Sequence, residues 1–348
     1  MSSSASSPIA TGFLPRQHAV YRKYLALQSL ASTLKSASLA GSFVVSSGIG
    51  REGTELAMAS TIAGAAFLGI ELRPQRLKSA LRNCACDFMV NTLDEALRVL
   101  KNEIRKRQPV SVGLLGNAAE ILPLLVERGV QPDFLSDTSP LPSLALESSA
   151  ADTESPGFHA SLTAYLEAIR QMAQRGAILI DFGNGLQDAL PEIRETIVSI
   201  RQIPASPTPA DIEPGHPASM PATTPDAIET GVRWIVSGFR DLKQFDTLAA
   251  SLLPGDDTVR RRWLEGAPAC FHRQTPLERV LSLHPEEITT LLQFIRDPAF
   301  RNSLEGAAML HWQDASGAMH TLELAAKPVQ PDRDVSTHSA KKQTASNS

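Results

Sequence analysis

Phe43-Val44-Val45 leads into Gly48-Ile49-Gly50-Arg51-Glu52-Gly53 and then Leu56-Ala57-Met58-Ala59, and this stretch decides how the chain folds. An apolar β-branched run, a glycine turn and a helix-forming run read as strand, tight turn and helix. A second apolar run, Ala65 to Ile70, ends at Glu71, 18 residues after Gly53 (71 − 53). Strand, GxGxxG turn, helix, strand and acid in that order form the fingerprint of a dinucleotide site. Gly48 permits the tight turn, Gly50 lets a pyrophosphate approach the backbone, and Gly53 lets the helix pack closely on the strand. The helix start offers unpaired N–H groups and a positive dipole end to phosphates, and Glu71 is placed to accept from ribose hydroxyls. The bland alternative is a glycine turn that only closes a βα unit.

Outward from this turn, strand and helix alternate from about residue 40 to 200. Asp87-Phe88-Met89-Val90 reads as a short buried strand, and Thr92-x-x-Glu95 as a capping box opening a helix. Leu93, Leu97, Leu100 and Ile104 recur on one face of that helix, with Lys101, Arg105 and Lys106 facing water. Val110 to Leu115 is the next strand, Ala118 to Arg128 a helix stopped by Gly129, and Pro132 to Leu135 leads into another strand. Ser161 to Gln174 is helical, Gly176 breaks it, and Ala177 to Ile180 is a nearly pure apolar strand. Continuous apolar strands between helices predict a parallel sheet covered on both faces. The fold class is therefore α/β, a doubly wound parallel sheet of Rossmann-like type, followed by a smaller, mainly helical α+β region. In that region Arg233 to Val236 reads as a strand, Leu242 to Leu253 and Pro285 to Ile295 as helices, and Ala307 to Ala326 as a hairpin around Asp314-Ala315-Ser316-Gly317.

Between Pro204 and Pro225 stand seven prolines, a density that excludes a helix or central strand and implies a linker or long insertion. Residues 140–156 form a second loop. The expected organisation is a flexible arm over 1–20, the α/β domain over 21–200, a Pro-rich linker over 201–230, a C-terminal region over 231–326 and a disordered tail over 327–348. A net charge of −4 with 20% charged residues gives no reason to expect a nucleic-acid partner. No apolar run approaches the roughly 20 residues that cross a bilayer, so no membrane partner is expected. The three cysteines, Cys84, Cys86 and Cys270, are too few and too scattered for a disulfide framework or a zinc knuckle, and read as reduced thiols of a cytoplasmic protein. No acid precedes Glu52, a composition shared with organelle-targeting peptides, yet Tyr21, Tyr24, Leu25, Leu27 and Leu30 also give this segment the apolar face of an ordinary helix.

A series of segments resembles one family, the urocanases, NAD-dependent urocanate hydratases of histidine breakdown. These are Tyr21 to Gly41 leading into the glycine turn, Thr61-Ile62-Ala63-Gly64-Ala65, Ile70 to Arg76, Ser111 to Glu120, Arg128 to Asp133 and Asp181-Phe182-Gly183-Asn184. The run Val112-Gly113-Leu114-Leu115-Gly116-Asn117-Ala118-Ala119-Glu120 is the most characteristic. Weaker similarity resumes at Arg233-Trp234, Ser237-Gly238 and Trp263. The resemblance implies an NAD-binding domain of Rossmann type, with NAD as cofactor. By position it places Gly48, Gly50, Arg51, Glu52 and Gly53 along the pyrophosphate. Glu71 and Arg76 fall at the adenosine end, and Asn117, Ala118, Thr138, Ser139 and Phe182 beside the cofactor. In that chemistry NAD acts as an electrophile toward the substrate's imidazole.

The chain also departs from the family. The family is richer in glycine where Arg51 and Glu52 stand, and a carboxylate beside a pyrophosphate repels it. Binding survives there if Glu52 turns away and Arg51 turns in. Thr138-Ser139-Pro140-Leu141-Pro142 stands where the family carries Gln-Thr-Ser-Ala-His-Asp-Pro, and Phe182-Gly183-Asn184-Gly185-Leu186-Gln187 replaces Tyr-Gly-Asn-Asn-Ile-Arg. The substrate domain of full-length urocanases has no recognisable counterpart, with about 47 residues before the glycine turn. The neighbours of Cys270 do not match the family's catalytic cysteine. The eight histidines form no HxxxH pattern or triad order. The reading is a diverged urocanase-like protein that keeps an NAD-binding-type Rossmann domain without a self-sufficient hydratase site. It acts as a non-catalytic NAD binder or a partner subunit, with a protein partner or a homodimer as the expected assembly. The alternative is an active hydratase.

Overall fold

The computed structural model describes residues 16–33, 38–138, 156–182, 186–199, 231–236, 243–272, 277–298, 308–313 and 319–324. The Pro-rich linker, the loop over 140–155, the hairpin turn, the tail and residues 1–15 lie outside the described residues, as does Ser139. A seven-stranded sheet forms the larger part: β1 (Phe43–Ser47), β2 (Ala66–Glu71), β3 (Phe88–Val90), β4 (Val110–Leu115), β5 (Phe134–Asp137), β6 (Ile178–Asp181) and β7 (Ile197–Ser199). The strands lie in the order β3-β4-β2-β1-β5-β6-β7, and every neighbouring pair is parallel. The order reverses between β1 and β5, which makes the crevice above their C-terminal ends the topological switch point, where open α/β sheets bind ligands.

Both faces of the sheet are covered, as the apolar strands predicted. Val44, Phe67, Phe134 and Ile180 point to one side, with α1 (Arg16–Thr33) and α2 (Arg51–Ala63). Val45, Leu68, Leu135 and Leu179 point to the other, where α4 (Leu93–Lys106), α5 (Ala118–Glu127) and α6 (Pro156–Gln174) pack. This is the period-two alternation of strands buried on both faces. A shorter helix, α3 (Pro74–Arg82), follows β2, and α7 (Leu186–Ala189) with a 3-10 turn (Pro191–Thr196) precedes β7. Gly69 and Gly113 are partners across β2 and β4. A Cβ on Gly69 would sit 2.4 Å from Ile49 Cδ1, and one on Gly113 would sit 2.7 Å from Leu77 Cδ2. The paired glycines form the dimple into which the turn residue Ile49 seats.

Two sequence expectations change. β3 is an edge strand rather than a buried one: among the described residues it pairs only with β4, and Phe88 is 49% exposed. The arm expected over 1–20 ends earlier, because α1 starts at Arg16 and buries Gln17 and Val20 completely.

The C-terminal region contains β8 (Gly231–Val236), α8 (Lys243–Leu252), α9 (Thr258–Phe271), β9 (Leu277–Ser282), α10 (Pro285–Arg296) and the hairpin β10 (Ala308–Gln313) and β11 (Met319–Leu324). Its four strands form an antiparallel sheet in the order β11-β10-β8-β9. The helices continue the core beneath α1 and α2 rather than forming a separate one. Trp263 of α9 is fully buried against Tyr21 and Tyr24 of α1, at ring-centroid distances of 4.7 and 5.5 Å, and its indole donates to the Val280 carbonyl. The Arg262 guanidinium donates to the Ala63 carbonyl at the end of α2, satisfying a helix C-terminus with a cation. No helix among the described residues is long and apolar enough to cross a membrane.

Candidate functional site

Gly48 leaves β1 with φ +91, a conformation that favours glycine, and its N–H donates to the Ile70 carbonyl at the end of β2. The backbone then turns up into α2, with Gly50 as the N-cap residue. The two later glycines do different work. A Cβ on Gly53 would fall 2.2 Å from the Gly48 carbonyl oxygen and 2.8 Å from Thr138 Oγ1, so this glycine is what lets α2 close on the turn. A Cβ on Gly50 would meet nothing within 4 Å. The backbone is thus open on the side where Gly50 faces, at the start of a 13-residue helix whose first N–H groups have no intrahelical partner.

The remaining candidates lie at the C-terminal ends of strands β4, β2, β1, β5 and β6, a row of four strand spacings or roughly 19 Å. Glu71 ends β2 and is only 5% exposed. Its Oε2 accepts from the Ile49 N–H at 3.1 Å and its Oε1 from the Arg73 N–H at 3.0 Å, while Arg76 Nη1 lies 3.4 Å from Oε2. The carboxylate therefore braces the glycine turn from the neighbouring strand. Asn117 follows β4 and caps α5, its Oδ1 accepting from the Ala119 N–H, with Ala118 buried behind it. Thr138 follows β5, and its Oγ1 donates to the Ser47 and Gly48 carbonyls at 3.0 and 2.8 Å. Its hydroxyl supports the turn from below. Phe182 follows β6 and is buried, with Lys23 Nζ 4.8 Å above its ring.

The charged pair that departs from the glycine-rich pattern is resolved by α1. Glu52 is taken up by Lys23, with Nζ 2.5 Å from Oε2. Lys23 also donates to Glu55 Oε2 at 2.6 Å, and Arg51 Nε reaches Glu55 Oε1 at 3.2 Å. Two carboxylates meet two cations, so the cluster carries no net charge that would repel a phosphate. Arg51, at 70% side-chain exposure, remains at the helix start. Sequence reasoning missed Lys23, since its contacts lie 29 and 32 residues away and follow no local spacing.

A second cluster missed by sequence holds β1 and β5 together at the switch point. Tyr165 of α6 is fully buried; its hydroxyl donates to Asp137 Oδ2 at 2.9 Å and lies 2.8 Å from Ser47 Oγ. Burial, with the Asp137 charge beside it, holds this phenol well above its ordinary value of 10.0. It is a neutral donor at physiological pH. Asp181 stands beside Asp137 in the β5–β6 register, also buried, and accepts from the Gln187 N–H at 3.4 Å.

Open clefts lie elsewhere. One of about 710 Å³ lies beside the edge strand, between Phe88, Arg98 and Asn102. Another of about 470 Å³ lies between α8 and α9 beside Asp246 and Arg261. Neither is lined by a residue of the glycine turn or of the strand ends around it, so neither cleft belongs to the candidate site, which rests on topology and backbone geometry. Among the described residues no group of His, Cys, Asp and Glu could hold a metal ion. Cys270 is part-buried on α9, packed against the core shared with α1. The family model of the urocanase Rossmann-like domain matches residues 17–195, just over half of the chain. The match begins within α1, the helix that supplies Lys23, and ends within the 3-10 turn before β7.

Proposed function

The chain belongs to the urocanase family, and from that premise we propose that it binds NAD across the C-terminal edge of its parallel sheet without being a self-sufficient urocanate hydratase. One observation carries the binding half. The turn at the switch point is closed tightly at Gly53 and open at Gly50, at the start of a helix whose N–H groups suit a pyrophosphate. The backbone from Gly48 to Gly53 would hold the phosphates, with Arg51 exposed at the helix start and its charge shared with Glu55. Glu71, Arg76 and Asn117 lie on the adenosine side, and Thr138 and Phe182 on the nicotinamide side. When bound, NAD would supply an electrophilic ring; the residues named here bind and orient it.

The non-catalytic half is supported by what stands near that ring. Phe182 is buried and carries no hydroxyl, and the Thr138 hydroxyl is directed at backbone carbonyls below the turn. Neither is an acid or base facing a substrate, and the Lys23 ammonium above the Phe182 ring is taken up by Glu52 and Glu55. General acid–base hydration requires such groups directed at the substrate. Calorimetric titration of the full chain with NAD tests the binding half, with micromolar affinity expected and no heat at millimolar NAD overturning it. The same protein, saturated with NAD and mixed with urocanate, should leave the substrate's ultraviolet absorbance unchanged. Steady loss of that absorbance would overturn the non-catalytic half and favour an active hydratase.

A further inference from the structure

We propose that the β3 edge of the parallel sheet takes an acidic, extended segment of a partner protein as an added strand, seated in the cleft beside Phe88. This cleft of about 710 Å³ combines apolar Phe88, Val99 and Pro109 with charged Asp87, Arg98 and Glu103. It lies at the N-terminal ends of β3 and β4, whereas the glycine turn follows the C-terminal end of β1, so the surface is separate from the dinucleotide site. Among the described residues β3 pairs only with β4. The open side of an edge strand carries unpaired N–H and C=O groups, the template on which an extended peptide adds. Beside that open backbone Phe88 is 49% exposed, and Leu81, in the last turn of the helix packed next to β3, is 41% exposed.

Charge selects the occupant. From Pro74 to Pro109, the stretch that holds α3, β3 and α4, eight Lys and Arg stand against four Asp and Glu. The rest of the chain carries 25 against 33 (33 − 8 and 37 − 4). A positive margin on a negative chain attracts an acidic segment and repels a second copy presented edge to edge. Several of these cations pair within the chain, as Lys106 does with Glu103, so the excess acts as a field and the local contact falls to the cleft. Both acids there are engaged. Asp87 Oδ2 accepts from the Ser111 N–H and hydroxyl at 2.8 and 3.0 Å, and Glu103 Oε1 accepts from Asn102 and Lys106 at 2.7 and 2.9 Å. Arg98 is exposed on the cleft wall and, among the described residues, forms no ion pair. It lies mid-helix, so the dipole complement that accounts for Arg105 and Lys106 in the last turn of α4 does not account for it. An added strand with an apolar residue and an acid two positions apart presents both to one face, the first covering Phe88 and the second meeting Arg98. A three-residue edge with basic flanks is also a way of blunting aggregation, so the surface is scored against loss of Phe88.

The experiment selects random dodecapeptides displayed on phage against the full chain, with the Phe88→Ser chain as counter-selection, and titrates the enriched peptides by fluorescence anisotropy. The expected result is enrichment of sequences with Asp or Glu two positions from an apolar residue and no central proline, bound less tightly as salt rises. Phe88→Ser and Arg98→Glu, each confirmed folded by an unchanged melting temperature, should both weaken those peptides by at least about tenfold, a loss of roughly 1.4 kcal/mol. No enrichment, or peptides bound equally by Phe88→Ser, would overturn the docking surface. Polyglutamate or a single-stranded oligonucleotide binding as tightly as the peptides would reduce it to an unspecific field and overturn strand addition. Self-association in sedimentation that Phe88→Ser abolishes would assign the edge to a second copy instead.

Discussion

Gly50→Asp separates binding from folding at this site. Gly50 has φ −69 and ψ −159, extended backbone open to any residue, and a Cβ there meets nothing within 4 Å. It is the N-cap of α2 and has no side-chain cap bond, so an aspartate can accept from the first-turn N–H groups and complement the helix dipole. The fold should gain a few tenths of a kcal/mol, up to about 1. The ligand meets the opposite: a carboxylate about 4 Å from a phosphate charge repels it by roughly 1 kcal/mol in water and about 4 where the effective dielectric is near 20. At about 1.4 kcal/mol per decade, affinity for the dinucleotide falls between roughly fivefold and a thousandfold, before any steric exclusion. The assay pairs a thermal melt with a dinucleotide titration, and the expected outcome is an equal or higher melting temperature with binding weakened or lost. Affinity held within twofold would refute the placement of the pyrophosphate at Gly50. A melting temperature lowered by several degrees would refute the open Cβ position. Gly53→Asp has no such diagnostic value, because its Cβ alone would approach the Gly48 carbonyl to 2.2 Å and break the turn whether or not a ligand binds.

The other two expectations concern the charges and thiols that hold the site in place. Lys23→Met leaves the buried Glu55 with only the exposed Arg51 and the half-buried Glu52 without this cation, and removal of one partner from a buried ion pair costs about 3–5 kcal/mol; urea denaturation should show a loss toward the lower end of that range. Adding Glu52→Gln and Glu55→Gln should recover more than half of it, and losses that simply add would show that the three side chains are not one unit. At alkaline pH, burial and, secondarily, the Asp87 charge hold the Cys86 thiol up at about 12 from an ordinary 9.0. The unfolded thiol ionises first and binds fewer protons than the folded one, so its contribution is intact below pH 9 and is lost as pH rises toward 12, at about 1.4 kcal/mol per pH unit. Stability measured by urea midpoints from pH 8 to 10.5 should fall less steeply in Cys86→Ala than in the parent chain, and parallel profiles would refute this assignment. Tyr24 and Tyr165, also raised by burial, steepen the fall in both above pH 10.

Much of the α/β half was legible because its signals are local. The strands are apolar runs, Gly48 takes a backbone conformation that favours glycine, and Leu93, Leu97 and Leu100 fall on one face of α4 and are all buried. The elements missed in the C-terminal region broke those rules. Helix α9 contains Gly266 and Pro268, residues that lower a helix reading, yet Gly266 is where Ile62 of α2 approaches, 3.0 Å from where a Cβ would sit. Strand β9 carries Arg279, which reads as surface; it is 4% exposed because Asp246 of α8 takes its guanidinium at 2.5 and 2.8 Å. Phe88 failed in the other direction, since nothing in an apolar triplet says that it has a neighbour on one side only.

The site was legible as a motif but not as a mechanism of support, because the groups that hold the motif are distant in sequence. Glu52 looked like a defect beside a phosphate until Lys23 of α1 was seen to hold it, and Thr138 and Tyr165 reach the end of β1 from 90 or more residues away. Helix α1 joins this support to the C-terminal region: its Gln17 side chain accepts from the Val280 N–H at 2.6 Å, and its Tyr24 hydroxyl donates to the Val259 carbonyl at 2.5 Å. Arg262 meanwhile holds the far end of α2, the helix whose first turn faces the proposed ligand. The angle at which α2 presents its N–H groups is therefore fixed from three sides: by Gly53 and Thr138 beneath, Lys23 beside, and Arg262 behind. A GxGxxG pattern specifies only the first of these, which is why a chain can keep its glycines, change the residues between them, and still hold the same turn.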